Sequence, residues 1–405
     1  VAAIAEERRQ KTVAETGFGS HESSKQGRMP VTTTGQKRLQ RPPRVTIGQL
    51  ADALGLAKGT VSRALNDYPD ISESTRLRVK RAAQRMGYRP LSHAQAIRTG
   101  RTRSLGLVLQ SDVHDGMRPF LAEFLSGLTQ EASREGWTLT VSTAPSEAEL
   151  AGVLRRLVEE HKADGFVLPR TMIEDPRVAL LRALGVPFVL FGRTGDGRGC
   201  SWYDILGEEA MREAVLRLAS FGHRRIAFVN GGNRYNYSVL REAGYRAGLR
   251  EAGLAEAPEL MRRDALTPQE GAAATRALLA LPEPPTAIVF AVDMAALGAW
   301  PVAAELGLAI GRELSVIGYD GVPEGALARP SLTSFDVDTK RAGERLAHLL
   351  IRQIRGEEAE ALRETERARL REGGSDGSPE LSSSELARRL RALRQHVTRT
   401  DGRMT

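Results

Sequence analysis

From residue 104 to about residue 356, short and continuously apolar runs alternate with longer amphipathic segments. Few folds accommodate that rhythm. Seven runs read as strands: 104–110 (SLGLVLQ), 137–143 (WTLTVST), 165–169 (GFVLP), 187–191 (PFVLF), 225–230 (RIAFVN), 286–291 (TAIVFA) and 314–319 (LSVIGY). Helical patterns lie between and after them, at about 119–135, 146–162, 174–184, 207–222, 237–254, 268–281, 293–306 and 338–356. A strand that is apolar along its whole length is buried on both faces, the mark of a parallel sheet covered by helices. The span is long for one open sheet, so two α/β lobes are expected within one body over 104–378. The segment ALRETERARLREGG (361–374) reads as a last strand returning to that body. Residues 379–405 are expected as a flexible tail. Within it, 382–395 has a basic helical pattern with Leu386, Leu390 and Leu393 on one face, either a frayed surface helix or a partner-binding one.

The N-terminal quarter is built differently. Residues 1–43 are rich in Gly, Ser, Thr, Gln and charge, lack apolar periodicity and are expected as a disordered arm. Translation is expected to begin at Met29. Residues 44–90 predict three short helices. Thr46 and Gln49 form a capping-box pair at the start of the first, and Gly55 stops it. Ile47, Leu50, Ala51 and Leu54 supply its apolar face. Val61, Ala64 and Leu65 do so for a second helix over 57–66, and Leu77, Val79, Ala82, Ala83 and Met86 for a third from Ser72 to Gly87.

Charge separates the two parts. The 405-residue chain has a formal charge of +8, but residues 41–103 alone hold 13 Lys/Arg against 4 Asp/Glu. The first 40 residues add +3, so the remainder is net negative at −4. A basic module on an acidic body suits a polyanion partner, and equally a solvated arginine-rich surface. Cys200 is the single cysteine, which excludes an internal disulfide framework. The longest apolar runs stop at Asp293 and Glu305, well short of the ~18–20 residues that cross a bilayer. Residues 1–30 have no apolar h-region of a secretory signal. A cytoplasmic protein without membrane contact is expected. Seven scattered histidines and the absence of GxxxxGK[ST] or GxSxG give no metal, cofactor or catalytic constellation, so no enzyme is expected.

Two helices joined at a glycine turn inside a basic segment make a helix-turn-helix candidate, with a plain three-helix bundle as the alternative. Lys58, Thr60, Ser62, Arg63 and Asn66 are the outward positions of the second helix. Such short polar and cationic side chains bond phosphates and base edges. Around this pattern, VTIGQLADALGLAKGTVSRALN (45–66), ISESTRLRVKRAAQRMGYRP (71–90) and AQAIRTGRTRSLGLVL (94–109) resemble the headpiece, hinge and first strand of the lactose/galactose-repressor family. The likeness continues through HRRIAFVNGG (223–232), REAGYRAGL (241–249), VDMAALGA (292–299), LSVIGYDG (314–321) and LTSFDVD (332–338).

That resemblance implies a small all-α helix-turn-helix headpiece plus an α/β two-lobed periplasmic-binding-protein-like domain. It implies a homodimeric transcription regulator, a repressor of sugar or glycoside use, whose grip on a two-fold symmetric operator DNA is tuned by a sugar effector. Thr46, Thr60 and Ser62 match phosphate-contacting or capping positions. Ala57, Lys58, Gly59 and Arg63 match positions facing base edges, and Asn66 closes the recognition helix. Residues 91–103 match the hinge and linker, with Ile97 where the family wedges a leucine into the minor groove.

In open α/β sheets, ligands bind beyond the carboxyl ends of the strands. That rule selects Ser111, Arg193, Asp293 and Asp320, each just past a strand or at its end, and Arg241 and Tyr237 near GGNRYNY. By resemblance, Arg241 and Asp320 bond sugar hydroxyls and Phe120 stacks on the ligand. Val292 and Ile205 stand where the family commonly has asparagine. Losing two polar partners favours a larger glycoside with an apolar aglycone or second ring. A sugar receptor without a DNA role, and a regulator answering a non-sugar metabolite such as a nucleobase, are the other readings.

Overall fold

The computed structural model describes residues 44–89, 100–110 and 118–401; the side chains of 118–120, 147 and 394–401 are not described. Contacts divide the chain into an N-terminal unit and a body, parted between Pro90 and Leu91.

The N-terminal unit holds α1 (Ile47–Leu54), α2 (Lys58–Leu65) and α3 (Glu73–Met86). Thr46 caps α1 with the reciprocal Gln49 bond, and Gly55 ends it at φ +62°, a left-handed conformation that glycine adopts without a Cβ clash. Leu50, Ala51, Val61, Ala64, Val79, Ala82 and Ala83 form the core of this unit. Leu77, expected inward, is 48% exposed. Val79, Ala82, Ala83 and Met86 follow the i, i+3, i+4, i+7 stripe, and a residue two places before Val79 falls on the opposite face of the helix.

In the body, the first lobe begins with β1 (Ser104–Gln110), α4 (Arg118–Arg134), β2 (Thr138–Ala144), α5 (Glu147–Glu159), β3 (Gly165–Leu168), α6 (Pro176–Ala183), β4 (Phe188–Phe191) and β5 (Ser201–Ile205). The chain then enters a second lobe: α7 (Gly207–Ser220), β6 (Ile226–Val229), α8 (Asn236–Glu251), β7 (Met261–Arg262), α9 (Pro268–Leu279), β8 (Ala287–Phe290), α10 (Asp293–Ala296), α11 (Ala299–Glu305), β9 (Ser315–Asp320), α12 (Pro323–Leu327) and β10 (Thr333–Asp336). It returns to the first lobe with α13 (Thr339–Ile354) and β11 (Arg363–Glu366), and goes back to the second with β12 (Arg369–Arg371) and α14 (Ser383–Asp401).

The first sheet has the order β11-β5-β4-β3-β1-β2, all parallel. The second has the order β12-β10-β9-β8-β6-β7, parallel except for β12 against β10. The two expected lobes are thus present, each with helices on its sheet. The single strand expected in 361–374 is two strands, one in each sheet. The helix expected over 293–306 is two short ones. Three connections, at 206, 337–338 and 367–368, carry the chain between lobes.

The C-terminal stretch departs from the expected flexible tail. Leu386 and Leu390 belong to the core of the second lobe. Arg389 reinforces this docking by pairing with Glu313 and donating Nη2 to the Gly307 carbonyl at 2.7 Å. Leu393 stays at the surface. Among the described residues no helix is long and apolar enough to cross a membrane.

Candidate functional site

In the N-terminal unit, Thr46, Ala57, Lys58, Gly59 and Arg63 are exposed, and Thr60, Ser62 and Asn66 are half-buried. The buried face of α2 is Val61 and Ala64, which turns the polar positions outward. Asn66 donates its side-chain amide to the Ser62 carbonyl at 2.5 Å and so finishes the helix on itself. Arg63 pairs with Asp70 at 2.7 Å and lies over the Tyr68 ring. An exposed pair of this kind contributes only ~0–1 kcal/mol, so it leaves the guanidinium ready to exchange partners. Ile97 and Ser111 lie outside the described residues, as does the side chain of Phe120.

Between the lobes is a cleft. From the first lobe, Arg170 and Thr171 just after β3, Gly192 and Arg193 after β4, and Asp204 and Ile205 at the end of β5 line it. From the second lobe, Val292 after β8, Tyr319 and Asp320 at the end of β9, and Tyr237 and Arg241 on α8 complete it. Phe124, Phe191, Leu240, Leu266 and Val337 make the remaining wall largely apolar. Mostly apolar walls with a few placed polar groups are the usual make-up of a small-molecule site.

Arg241 is held firmly. Its Nη1 donates to the Ala291 carbonyl at 2.5 Å. Its guanidinium carbon lies 3.9 Å from the Tyr319 ring centroid and 4.6 Å from that of Tyr237. Helix α8 can approach α7 this closely because residue 244 is glycine; a Cβ there would sit 2.0 Å from the Glu208 carbonyl oxygen. On the facing lobe, Arg193 donates Nε to Asp204 at 2.5 Å and Nη2 to Glu208 at 2.6 Å. Burial pushes the Asp204 carboxyl above its ordinary range despite Arg193.

Two non-glycine cleft residues, one from each lobe, have positive φ: Arg170 at +53° and Asp320 at +122°. Strain of this kind persists where the surroundings enforce it, and it gathers at ligand sites. For Asp320 the enforcing group is Asp293. Expected at the effector, Asp293 does not line the cleft; it is fully buried behind it. It starts α10, and its carboxylate accepts from the Gly321 amide at 2.8 Å, the Val322 amide at 3.0 Å and the Ser334 hydroxyl at 2.7 Å. It therefore fixes the turn that carries Asp320. Burial pushes Asp293 up to about 6. Burial pushes Asp320 up to about 7, against the pull of Arg241.

The lobes also touch away from their three connections. The Ile173 amide donates to the Arg234 carbonyl at 3.1 Å and the Asn236 amide to the Thr171 carbonyl at 3.0 Å. Met172 and Tyr235 pair there as an antiparallel bridge, and Arg170 stacks over the Tyr235 ring. Of the candidates from the sequence, the structure thus brings Arg193, Tyr237, Arg241 and Asp320 together. The sequence reading missed Arg170, Glu208, Tyr319 and the two phenylalanines Phe124 and Phe191. Arg170 obeys the strand-end rule and was findable by it; Glu208, in the first turn of a helix, carried no such signal. Among the described residues no group of three or more His, Cys, Asp or Glu is arranged to hold a metal ion.

Residues 46–91 match the model of bacterial regulatory proteins of the lacI family, and residues 215–375 match a periplasmic binding protein-like domain. The chain is 36% identical over 319 residues to the HTH-type transcriptional regulator AglR of Rhizobium meliloti, covering 76% of this chain and 87% of that protein. It is 30% identical to the HTH-type transcriptional regulator RafR of Escherichia coli, covering 79% and 95%. Among solved structures, the transcriptional regulator CelR in complex with cellobiose aligns with a TM-score of 0.63 at 30% identity, over 82% of this chain and all of that one. The helix-turn-helix unit, the two parallel-sheet lobes and these relatives agree, and the chain belongs to the LacI family of bacterial transcriptional regulators.

Proposed function

We propose that this chain acts in the cytoplasm as a homodimeric repressor that binds a two-fold symmetric operator and changes its grip when a sugar or glycoside enters the cleft. The observation that carries the reading is the cleft itself, in which Asp320 at the end of β9 and Arg241 on α8 stand among apolar walls, on a chain that also bears an exposed helix-turn-helix surface. An arginine and a carboxylate each take paired hydroxyls, and apolar walls suit sugar-ring faces or a second ring. The cellobiose-bound relative supports a disaccharide-sized effector.

On the DNA side, Lys58 and Arg63 read base edges beside Ala57 and Gly59, while Thr46, Thr60 and Ser62 hold phosphates and Asn66 closes the helix. Because Gly59 offers no side chain, Lys58 carries more of the operator choice. Ile97 opens the minor groove between the two headpieces. Closure of the lobes on the effector alters the spacing of the hinges, and by linkage operator DNA alters effector affinity by the same factor.

The test is a salt-controlled shift assay on DNA upstream of the protein's own gene. A preference of at least ~1000-fold over random duplex is expected, reduced or raised by an oligosaccharide such as cellobiose. Arg241→Ala keeps the operator preference and loses the response. A preference no greater than for random DNA, with or without sugar, rejects the reading. So does an Arg241→Ala protein that responds at the wild-type sugar concentration.

A further inference from the structure

Two side-chain atoms among the described residues are buried and have no hydrogen-bond partner: Oε2 of Glu208 and Nε of Arg241. Both belong to cleft-lining residues. The residues also adjoin in the fold. Glu208 directly follows Gly207, and a Cβ on Gly207 would stand 3.0 Å from Arg241 Nε. Another atom of each group is already engaged. Glu208 Oε1 accepts from Arg193 and Arg241 Nη1 donates to Ala291. A buried polar atom left unmatched costs about 1–3 kcal/mol, more when charged, so a native fold keeps such a pair where something completes it.

What completes it follows from the atoms. A carboxylate oxygen accepts and a guanidinium N–H donates. A hydroxyl is the small neutral group that donates to the first and accepts from the second at once. A phosphate or carboxylate only accepts, so it would satisfy Arg241 and oppose Glu208. The whole cleft agrees with this chemistry. Arg170, Arg193 and Arg241 are matched by the three carboxyl groups of Asp204, Glu208 and Asp320, so the cleft is not lined by cations alone as a site for a phosphate would be.

We propose that Glu208 is a specificity-determining residue of the cleft, which with Arg241 takes one hydroxyl of a neutral, hydroxyl-bearing effector and discriminates against phosphorylated ones. This rests on the sugar-responsive reading above and narrows it. In that arrangement the ligand hydroxyl donates to Glu208 Oε2 and accepts from Arg241 Nε–H. Arg193, itself held by Asp204, keeps the carboxylate in place from behind.

The experiment is calorimetric titration of the full chain with cellobiose, raffinose, maltose, glucose 6-phosphate and adenosine, followed by monodeoxy analogues of the best sugar. Wild type binds a neutral sugar, and one monodeoxy analogue binds about 30-fold or more weakly. Glu208→Gln places a donor opposite Arg241 Nε–H. It binds the parent sugar about tenfold or more weakly and shrinks the penalty for that deoxy analogue to a few-fold, with an unchanged unfolding midpoint. If Glu208→Gln binds the parent sugar as wild type does, the role of Glu208 is overturned while the sugar reading stands. If no deoxy position matters in wild type, the hydroxyl assignment is overturned without recourse to any variant. Preference for glucose 6-phosphate or adenosine, or binding of none of the panel, overturns the neutral-sugar reading itself.

Discussion

The second sheet carries a buried polar cluster at each end, and the two are finished differently. At the amino ends of its strands, His223 bonds Thr286 through Nδ1 at 2.7 Å, and through Nε2 it bonds Ser315 at 3.0 Å and the Gly377 carbonyl at 2.9 Å. A carbonyl can only accept, so Nε2 carries the proton and Nδ1 accepts from the Thr286 hydroxyl. Ser375 and Asp376 continue the stitching. The Ser375 hydroxyl donates to the Val316 carbonyl and accepts from the Thr333 amide, and Arg217 donates to Asp376 at 2.6 Å. No buried side-chain polar atom described at that end is unmatched. At the carboxyl ends, Asp293 is equally satisfied, but its bonds hold Asp320 in a strained backbone, and the cleft beyond keeps two orphan atoms. One end uses polarity to close a structure; the other stores unmet bonding for a visitor.

The largest effect separating the ends is expected from His223→Ala. It strands the Thr286 hydroxyl in a dry place and leaves the Gly377 carbonyl with only the longer bond from Ser315, at a cost of about 2–3 kcal/mol. The unfolding midpoint of the body in urea should drop accordingly, while sugar affinity of the folded fraction stays as it was. A pH effect accompanies it. Burial holds the His223 pKa below 6.5, whereas the unfolded side chain titrates near that value. The unfolded state therefore binds more protons below pH 6.5, and stability is lost as pH falls through 6.5 toward the depressed folded value. An unfolding midpoint as pH-sensitive in His223→Ala as in wild type would break the contrast.

Asp293→Ala should act on the other end. Freed from its carboxylate, the 320–322 turn relaxes, and re-forming the strained Asp320 falls to the ligand. Strain of about 1–3 kcal/mol corresponds to a roughly 5–150-fold loss in effector affinity. Asp293→Asn, which keeps an acceptor for the two amides and a group for Ser334, should restore most of it. Equal affinity of wild type and Asp293→Ala by titration would show that the turn holds itself.

The two ends were also unequally legible. The alternation of unbroken apolar strands with helices was enough to predict two parallel lobes, because strands such as 226–229 and 287–290 are buried along their whole length. It could not show β5 or β10, nor that the strand expected in 361–374 is the two strands β11 and β12. Their sequences SWYDI, TSFD, RETE and RLR are polar because they lie on the outer side of a sheet or next to a crossing between lobes. The strand-end rule found Arg193 and Asp320. It also selected Asp293, since the rule gives position along the chain but not the direction a side chain turns. Glu208 was illegible because an acidic residue in a first helical turn is ordinary, complementing the helix dipole. The His223 cluster was illegible because its partners come from residues up to 154 positions away.

The smallest effect sharpens the picture of the cleft end. Burial and the neighbouring Asp293 raise the Asp320 carboxyl to about 7, partly opposed by Arg241. A carboxylate accepts sugar hydroxyls best when ionised, so effector affinity should climb by a few-fold as pH rises through about 7. Since binding then favours the deprotonated form, the complex releases protons, and titration in buffers of different ionisation heat measures this directly. Asp320→Asn should bind more weakly and lose the slope. Asp293→Asn removes a like charge behind Asp320, so the midpoint should move to lower pH with the slope preserved. A midpoint unmoved in Asp293→Asn would mean that desolvation alone sets the Asp320 pKa, and that Asp293 acts on the site only through the turn it holds.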